Sequence, residues 1–358
     1  MLKPRAALLE LAPYHPPLAG RQGMRLDFNE STIGCSPRVL AVLKSLDAEL
    51  LAMYPEREPV EIEVAKFLGV DPAQLLLTNG VDEAIHLVCE SYLDENSEAM
   101  IVVPTFGMYR LYAECTGAKV VPVLSSDDFK FPTQQVLDRI SPRTRLIAIA
   151  NPNNPTGAVT SREDLLRILA AAPNAAVLVD EAYFEFYGQT LFDQIGKWPN
   201  LFIARTFSKA YGLAGLRAGV LAGDASQIGI VRKTATPYNV NAVALACLME
   251  ALRDQEYIHS YVAEVRRNRA ALEQVLAECG LYYWPSQANF VLFRVGERSK
   301  EFVSGFKQRG ILVRDRSSDP GCEGCVRITV GTDEQMAILN EGLRSLMKDF
   351  AQRKGITA

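Results

Sequence analysis

From about residue 36 to 225 the sequence repeats one alternation: a short apolar run closed by turn residues, then a segment of helical pattern. The runs fall at 74–78, 99–103, 119–123, 146–150, 176–180, 201–204 and 218–221. Most are apolar throughout rather than every second residue, the pattern of strands covered on both faces. Helical patterns at 82–93, 107–116 and 161–171 lie between them. Ser36-Pro37 reads as a cap and first-turn proline opening a further helix to about Leu51. This rhythm predicts an α/β domain with a mostly parallel central sheet flanked by helices.

The texture changes after Pro237. Residues 239–279 read as one long or broken helical stretch, followed by short strands at 289–295, 310–314 and 325–330. A helix is expected at 299–309 and a last one from Asp333, with Thr332 as its cap and Asp333 and Glu334 in its first turn. A chain of 358 residues has room for two cores. The expected division is a large α/β domain at 36–237 and a smaller α+β domain at 238–358, joined by the N-terminal segment 1–35.

Composition narrows the function classes. Hydrophobic residues make up 48% and charged residues 22%, ordinary for a globular enzyme. A net charge of -4 with scattered basic residues gives no reason to expect nucleic acid or an anionic membrane as partner. The N-terminal apolar stretch is short and broken by Glu10, unlike a signal peptide, and no run of about 18 apolar residues follows. A cytoplasmic protein is expected, and seven dispersed cysteines fit reduced thiols there. Cys322 and Cys325 have C-x-x-C spacing, but no second pair follows and His15, His86 and His259 lie far off in sequence. A loop with incidental thiols is the better reading, and no metal is expected.

Three stretches carry chemistry. Thr206-Phe207-Ser208-Lys209 follows an apolar strand, and Arg217 comes eight residues after the lysine. Two hydroxyls and a guanidinium suit a phosphate, and a lysine beside them could form a Schiff base with an aldehyde that the same groups anchor. Asn151-Pro152-Asn153-Asn154-Pro155-Thr156-Gly157 is a loop at the carboxyl end of a strand, where open α/β sheets place ligands. Asp180 closes another apolar strand, with Tyr183 three residues on. A buried carboxylate there needs a cationic or hydrogen-bonding partner, such as a protonated pyridine nitrogen.

Taken in order and spacing, these motifs make the chain resemble the fold-type I, class I/II pyridoxal-phosphate aminotransferases, most closely the histidinol-phosphate branch. The resemblance runs from Tyr14 to the final helix. It implies pyridoxal 5'-phosphate on Lys209, with Asp180 on the ring nitrogen and Asn154 and Tyr183 on the phenolic oxygen. Thr206, Ser208, Arg217 and the backbone amides of Val81 and Asp82 would hold the phosphate; a helix N-terminus suits that task on physical grounds as well. Phe106 would stack on the ring. Tyr54 would reach the cofactor phosphate of a neighbouring subunit, implying a homodimer with shared sites. Arg327 would take the carboxylate of glutamate, and Arg314, Arg327 and Tyr14 together the phosphate of histidinol phosphate. The implied reaction is transamination of histidinol phosphate with 2-oxoglutarate in histidine biosynthesis. Asn29-Glu30-Ser31-Thr32 departs from the family's usual Asn-Glu-Asn-Pro near the substrate entrance, and Val81 replaces a smaller residue.

Two other readings compete. One is an aminotransferase for phenylalanine or tyrosine, against which Arg314 argues. The other is a non-catalytic cofactor-binding regulatory module. The segment before the α/β domain is too short for a helix-turn-helix, and Lys209 is retained. A nicotinamide dehydrogenase is excluded because no G-x-G-x-x-G follows the first strand.

Overall fold

A computed structural model describes residues 2–9, 11–13 and 20–355. In chain order its strands begin with β1 (Met24–Arg25), β2 (Leu75–Thr78), β3 (Glu98–Val103) and β4 (Lys119–Leu124). Then come β5 (Thr144–Ala150), β6 (Ala176–Asp180), β7 (Leu201–Thr206) and β8 (Gly219–Gly223). The last third adds β9 (Tyr282–Trp284), β10 (Phe290–Arg294), β11 (Ile311–Leu312), β12 (Arg314–Asp315) and β13 (Cys325–Thr329).

Seven of these form one sheet in the order β2-β8-β7-β6-β5-β3-β4. Every pairing in it is parallel except the two made by β8. All residues of β6, β7 and β8 are buried, as their unbroken apolar runs predict, so helices must cover both faces. The expected α/β fold with a mostly parallel sheet is therefore present. Its register collects chemistry at one edge. Ala150 lies beside Asp180, Asp180 beside Ala204, and both Thr206 and Thr78 beside Gly219. The ends of β2, β5, β6 and β7 and the start of β8 thus open onto the same side of the sheet. Ligands of open α/β sheets bind outside these carboxyl ends.

A smaller antiparallel sheet runs β12-β13-β10-β9. The expected strand at 310–314 is in fact split at Val313. β11 pairs in parallel with β1, whereas β12 turns to pair with β13. Gly23 makes the first pairing possible: a Cβ there would lie 2.3 Å from the Gly310 carbonyl oxygen. The helix expected from Ser36 to Leu51 is also two helices, Pro37–Ser45 and Ala48–Ala52. Ser36 caps the first, while the Asp47 carboxylate accepts from the Leu50 amide at 2.9 Å and starts the second. The long helical stretch breaks at Asp254 into Ala242–Arg253 and Gln255–Glu278. Helices Glu58–Leu68 and Thr133–Arg139 and strand β9 were not marked by the sequence pattern. Thr332 caps the last helix as expected, accepting from the Gln335 amide at 3.3 Å.

Cys322 and Cys325 are free thiols buried in a small cluster with Phe129, Trp284 and Leu292. Among the described residues no helix is long and apolar enough to cross a membrane.

Candidate active site

A cavity of about 340 Å³ lies between the edge of the large sheet and the small sheet. It is lined by Lys209, Asp180, Tyr183, Asn154, Thr206, Ser208, Arg217, Val81, Asp82, Phe106, Arg314 and Arg327. Twelve of the fourteen residues singled out from sequence therefore meet in one place. Of the other two, Tyr54 is exposed on the outside of the subunit and stacks on Tyr238 at 4.2 Å between ring centres. Tyr14 lies outside the described residues.

The large-sheet wall starts with Lys209, two residues past Phe207 in the loop after β7. Its Nζ donates to the Phe28 carbonyl oxygen at 3.2 Å and sits 5.9 Å from the centre of the Tyr183 ring. Burial, followed by the field of Arg327, lowers its pKa to about 8. An amine so placed loses its proton near neutral pH and is a competent nucleophile. Asp180 closes β6 with its carboxylate buried. Desolvation pushes it up to about 6, against the hydrogen bonds it accepts from Tyr109 at 2.5 Å and the Ala182 amide at 2.9 Å. The carboxylate faces the cavity with no cation in contact among the described residues.

The phosphate-type cradle forms where β2, β7 and β8 end together. The helix Gly80–Tyr92 starts directly after β2, so the first-turn amides at Val81 and Asp82 have no partner within the helix. Thr206 Oγ1 accepts from the Ser208 amide at 3.1 Å, and Arg217 reaches Ser208 Oγ at 3.4 Å. Arg217 takes a left-handed backbone, φ 58, and pairs with the Asp82 carboxylate at 2.8 Å. Gly80 has φ 77, and a Cβ on it would lie 2.6 Å from the Arg217 guanidinium. Only glycine leaves this approach open.

The Asn-Pro loop after β5 is held by its own hydrogen bonds. Asn151 accepts from the Thr160 amide at 2.9 Å, and Asn153 donates to the Pro104 carbonyl and Thr156 Oγ1, each at 2.9 Å. This fixes Asn154, whose Oδ1 accepts from Arg327 at 2.5 Å. Tyr183 has its hydroxyl at 2.9 Å from Asn29 Nδ2. Phe106 is half-buried and meets the Tyr109 ring edge-on at 5.9 Å.

The small-sheet wall is cationic. Arg327 is buried in mid-strand and faces Arg314 in register on β12. It donates to the Asp27 carbonyl at 2.7 Å, while its buried Nε has no hydrogen-bond partner among the described residues. Desolvation, then Arg316, depresses its pKa. The Arg314 guanidinium lies 5.2 Å from the Phe28 ring centre, and Arg21 lies 4.1 Å from it. Such a wall can take a carboxylate or a phosphate by charge-assisted hydrogen bonds.

Sequence reasoning assigned no role to four groups that take part: the side chains of Tyr109, Asn29, Asp82 and Arg316. Tyr109 shares its motif with Phe106 and supplies the hydroxyl on Asp180. Asn29, with φ 57, joins Tyr183, Thr329 and Asn289 across great sequence distances. Its tolerance of left-handed backbone was the one local signal. The Asp82 carboxylate, not only its amide, faces Arg217. Arg316 joins the two expected arginines, and R-D-R on a short strand places its residues 314 and 316 on one face.

The family described as aminotransferase class I and II matches residues 21–343 of the chain. Histidinol-phosphate aminotransferase 1 of Bacillus cereus is 35% identical over 341 residues, spanning 92% of this chain and 90% of that protein. The histidinol-phosphate aminotransferase of a Geobacillus species is 36% identical over 337 residues, spanning 91% and 90%. The structure of the histidinol-phosphate aminotransferase from Sinorhizobium meliloti, in complex with pyridoxal 5'-phosphate, shares the fold with a TM-score of 0.86. That match is 24% identical and covers 97% of this chain and 99% of that one.

Proposed function

The chain belongs to the class I and II aminotransferase family, and within it we propose that it moves the amino group between histidinol phosphate and 2-oxoglutarate in histidine biosynthesis. The products would be imidazole-acetol phosphate and glutamate. The family uses pyridoxal 5'-phosphate. When bound, that group supplies an electron sink for the pair left as the substrate's α-proton departs.

The cleft's residues suit the cofactor on three observations. Gly80 leaves space beside Arg217 that a Cβ would fill. Asp180 is a buried carboxylate without a cation, and a protonated ring nitrogen would supply one. Lys209 is a half-buried amine whose pKa is lowered to about 8. In this reading Lys209 carries the cofactor and its Nζ then moves the substrate's α-proton. Asp180, oriented by the Tyr109 hydroxyl, keeps a negative charge against the ring nitrogen. Thr206, Ser208, Arg217 and the first-turn amides of Val81 and Asp82 hold the phosphate, with Arg217 exchanging Asp82 for it. Asn154 and Tyr183 would hold the cofactor through its phenolic oxygen, and Phe106 would stack on its ring.

Arg327 takes the carboxylate of glutamate, its unpartnered Nε being the donor still to be satisfied. Arg314, Arg327 and Tyr14 take the substrate phosphate. We read residues 36–237 as the cofactor-binding domain, with 1–35 and 238–358 forming the smaller one that carries this wall. The homodimer reading is supported by Tyr54, whose ring is exposed beside Tyr238 and does not line its own subunit's cleft, as suits contact with a partner's. A cytoplasmic location fits a biosynthetic enzyme with seven free cysteines.

The observation that carries the proposal is a half-buried amine and a buried carboxylate that share one cavity with a wall of arginines. The test is turnover of the purified holoenzyme with histidinol phosphate, histidine, phenylalanine and tyrosine, each against 2-oxoglutarate. Histidinol phosphate should have the highest kcat/KM by far. Phenylalanine or tyrosine exceeding it would assign the protein to aromatic amino acids instead.

A further inference from the structure

Arg316 follows β12 by one residue, and its backbone amide donates to the Cys325 carbonyl at 2.9 Å. Its side chain lines the cavity and is ion-paired with Asp319, which lines it too. Both are largely buried, with side-chain exposures of 15% and 22%, yet the buried Arg316 Nε has no hydrogen-bond partner among the described residues. The turn that carries them is pre-formed. The Asp319 amide donates to the Arg316 carbonyl at 2.9 Å, and Ser317 gives both its amide and its hydroxyl to Asp315. Asp315 is thus engaged within the turn, and Asp319 is the carboxylate that Arg316 holds.

A guanidinium in a substrate cavity, with a donor unused and a carboxylate that burial makes harder to keep ionised, is set for anion exchange. Arg316 and Arg327 line the same cavity from neighbouring chain segments, since Arg316 bonds to Cys325 on the strand that carries Arg327. We propose that Arg316 is a specificity-determining residue whose guanidinium trades Asp319 for the terminal phosphate of the substrate, adding a third cationic fork to Arg314 and Arg327. The inference depends on histidinol phosphate being the substrate. Three forks around one group favour a phosphate carrying nearly two charges over a carboxylate carrying one.

The test uses the holoenzyme with Arg316→Gln, Arg316→Lys and Asp319→Asn, measuring kcat and KM for histidinol phosphate and competitive inhibition by inorganic phosphate. Arg316→Gln should raise KM about tenfold and weaken phosphate inhibition similarly, with kcat changed less than about twofold, the scale of one charged hydrogen bond. Arg316→Lys should fall between Gln and wild type. Asp319→Asn, which removes the competing carboxylate, should strengthen phosphate inhibition. The visible absorbance of the bound cofactor should be unchanged in all three. An unchanged KM and phosphate inhibition in Arg316→Gln would overturn the proposal, as would a fall in kcat and cofactor absorbance at constant KM, which marks a structural role. Wild-type enzyme that fails to turn over histidinol phosphate would overturn the substrate reading itself, before any variant is compared.

Discussion

On the large-sheet side of the cavity, the half-buried Lys209 and the buried Asp180 have no ion pair of their own among the described residues. On the small-sheet side, Arg314, Arg316 and Arg327 crowd like charges together and hold them with carbonyls, Asn154 and Asp319. The first arrangement shifts pKa values toward neutrality, because burial disfavours the charged form of each group. The second gathers like-charged guanidiniums in one cavity, with the Nε atoms of Arg316 and Arg327 unbonded among the described residues, which favours an incoming anion. One wall is suited to moving protons and the other to choosing what is held. In this account the chemistry belongs to the large sheet and the selection to the small one.

The most severe test of that division is Lys209→Ala. It should abolish transamination and the visible absorbance of the lysine-bound cofactor, while circular dichroism and the thermal midpoint show a folded protein. Retained turnover would place the proton-moving group elsewhere.

A second test asks whether the chemical wall is complete within one subunit. Mixing Tyr54→Phe subunits, impaired in cofactor affinity, with inactive Lys209→Ala subunits should form heterodimers holding one site with both native residues. Activity should rise above that of either parent. A fully active monomer in sedimentation at micromolar concentration would end the shared-site account.

The smallest effect is on pH. The folded pKa of Lys209 is depressed to about 8, so its neutral amine predominates only above that value. Cofactor capture by the apo protein should rise about tenfold per pH unit below 8 and level off above, since the neutral amine is the nucleophile. Below about 6, protonation of Asp180 should make the fall steeper. Stopped-flow absorbance measures both limbs. Asp180→Asn should remove the lower break and leave the one near 8, and a flat profile across pH 6–9 would contradict the burial argument.

The two walls also differ in how far the sequence discloses them. Lys209, Asp180 and Asn154 each stand at or just past the end of a buried strand and Arg217 just before the start of one, where an apolar run, a turn and a chemical group are adjacent in the chain. Local pattern is enough to find them, and the parallel sheet then gathers them. The helix break at Asp47 escaped the pattern because a carboxylate cap competes with helix continuation on equal local terms. Asn29 escaped for another reason, since its partners Tyr183 and Thr329 lie 154 and 300 residues away and topology alone brings them near. Arg316 sits in a turn whose course is set by β13 and by Ser317 on Asp315, so the R-D-R alternation with Arg314 is its one linear signature and says nothing of Asp319.

The division of labour itself is tested by one crossed measurement: kcat/KM of wild type, Asp180→Ala and Arg314→Ala, each with histidinol phosphate and with phenylalanine. Asp180→Ala should lower both substrates alike by roughly two to three orders of magnitude, the scale of losing one preorganised charge-stabilising group. Arg314→Ala should lower histidinol phosphate by roughly ten- to a hundredfold and phenylalanine far less, because only the former brings a phosphate. Equal losses for both substrates in Arg314→Ala, or an Asp180→Ala loss confined to one substrate, would contradict the account.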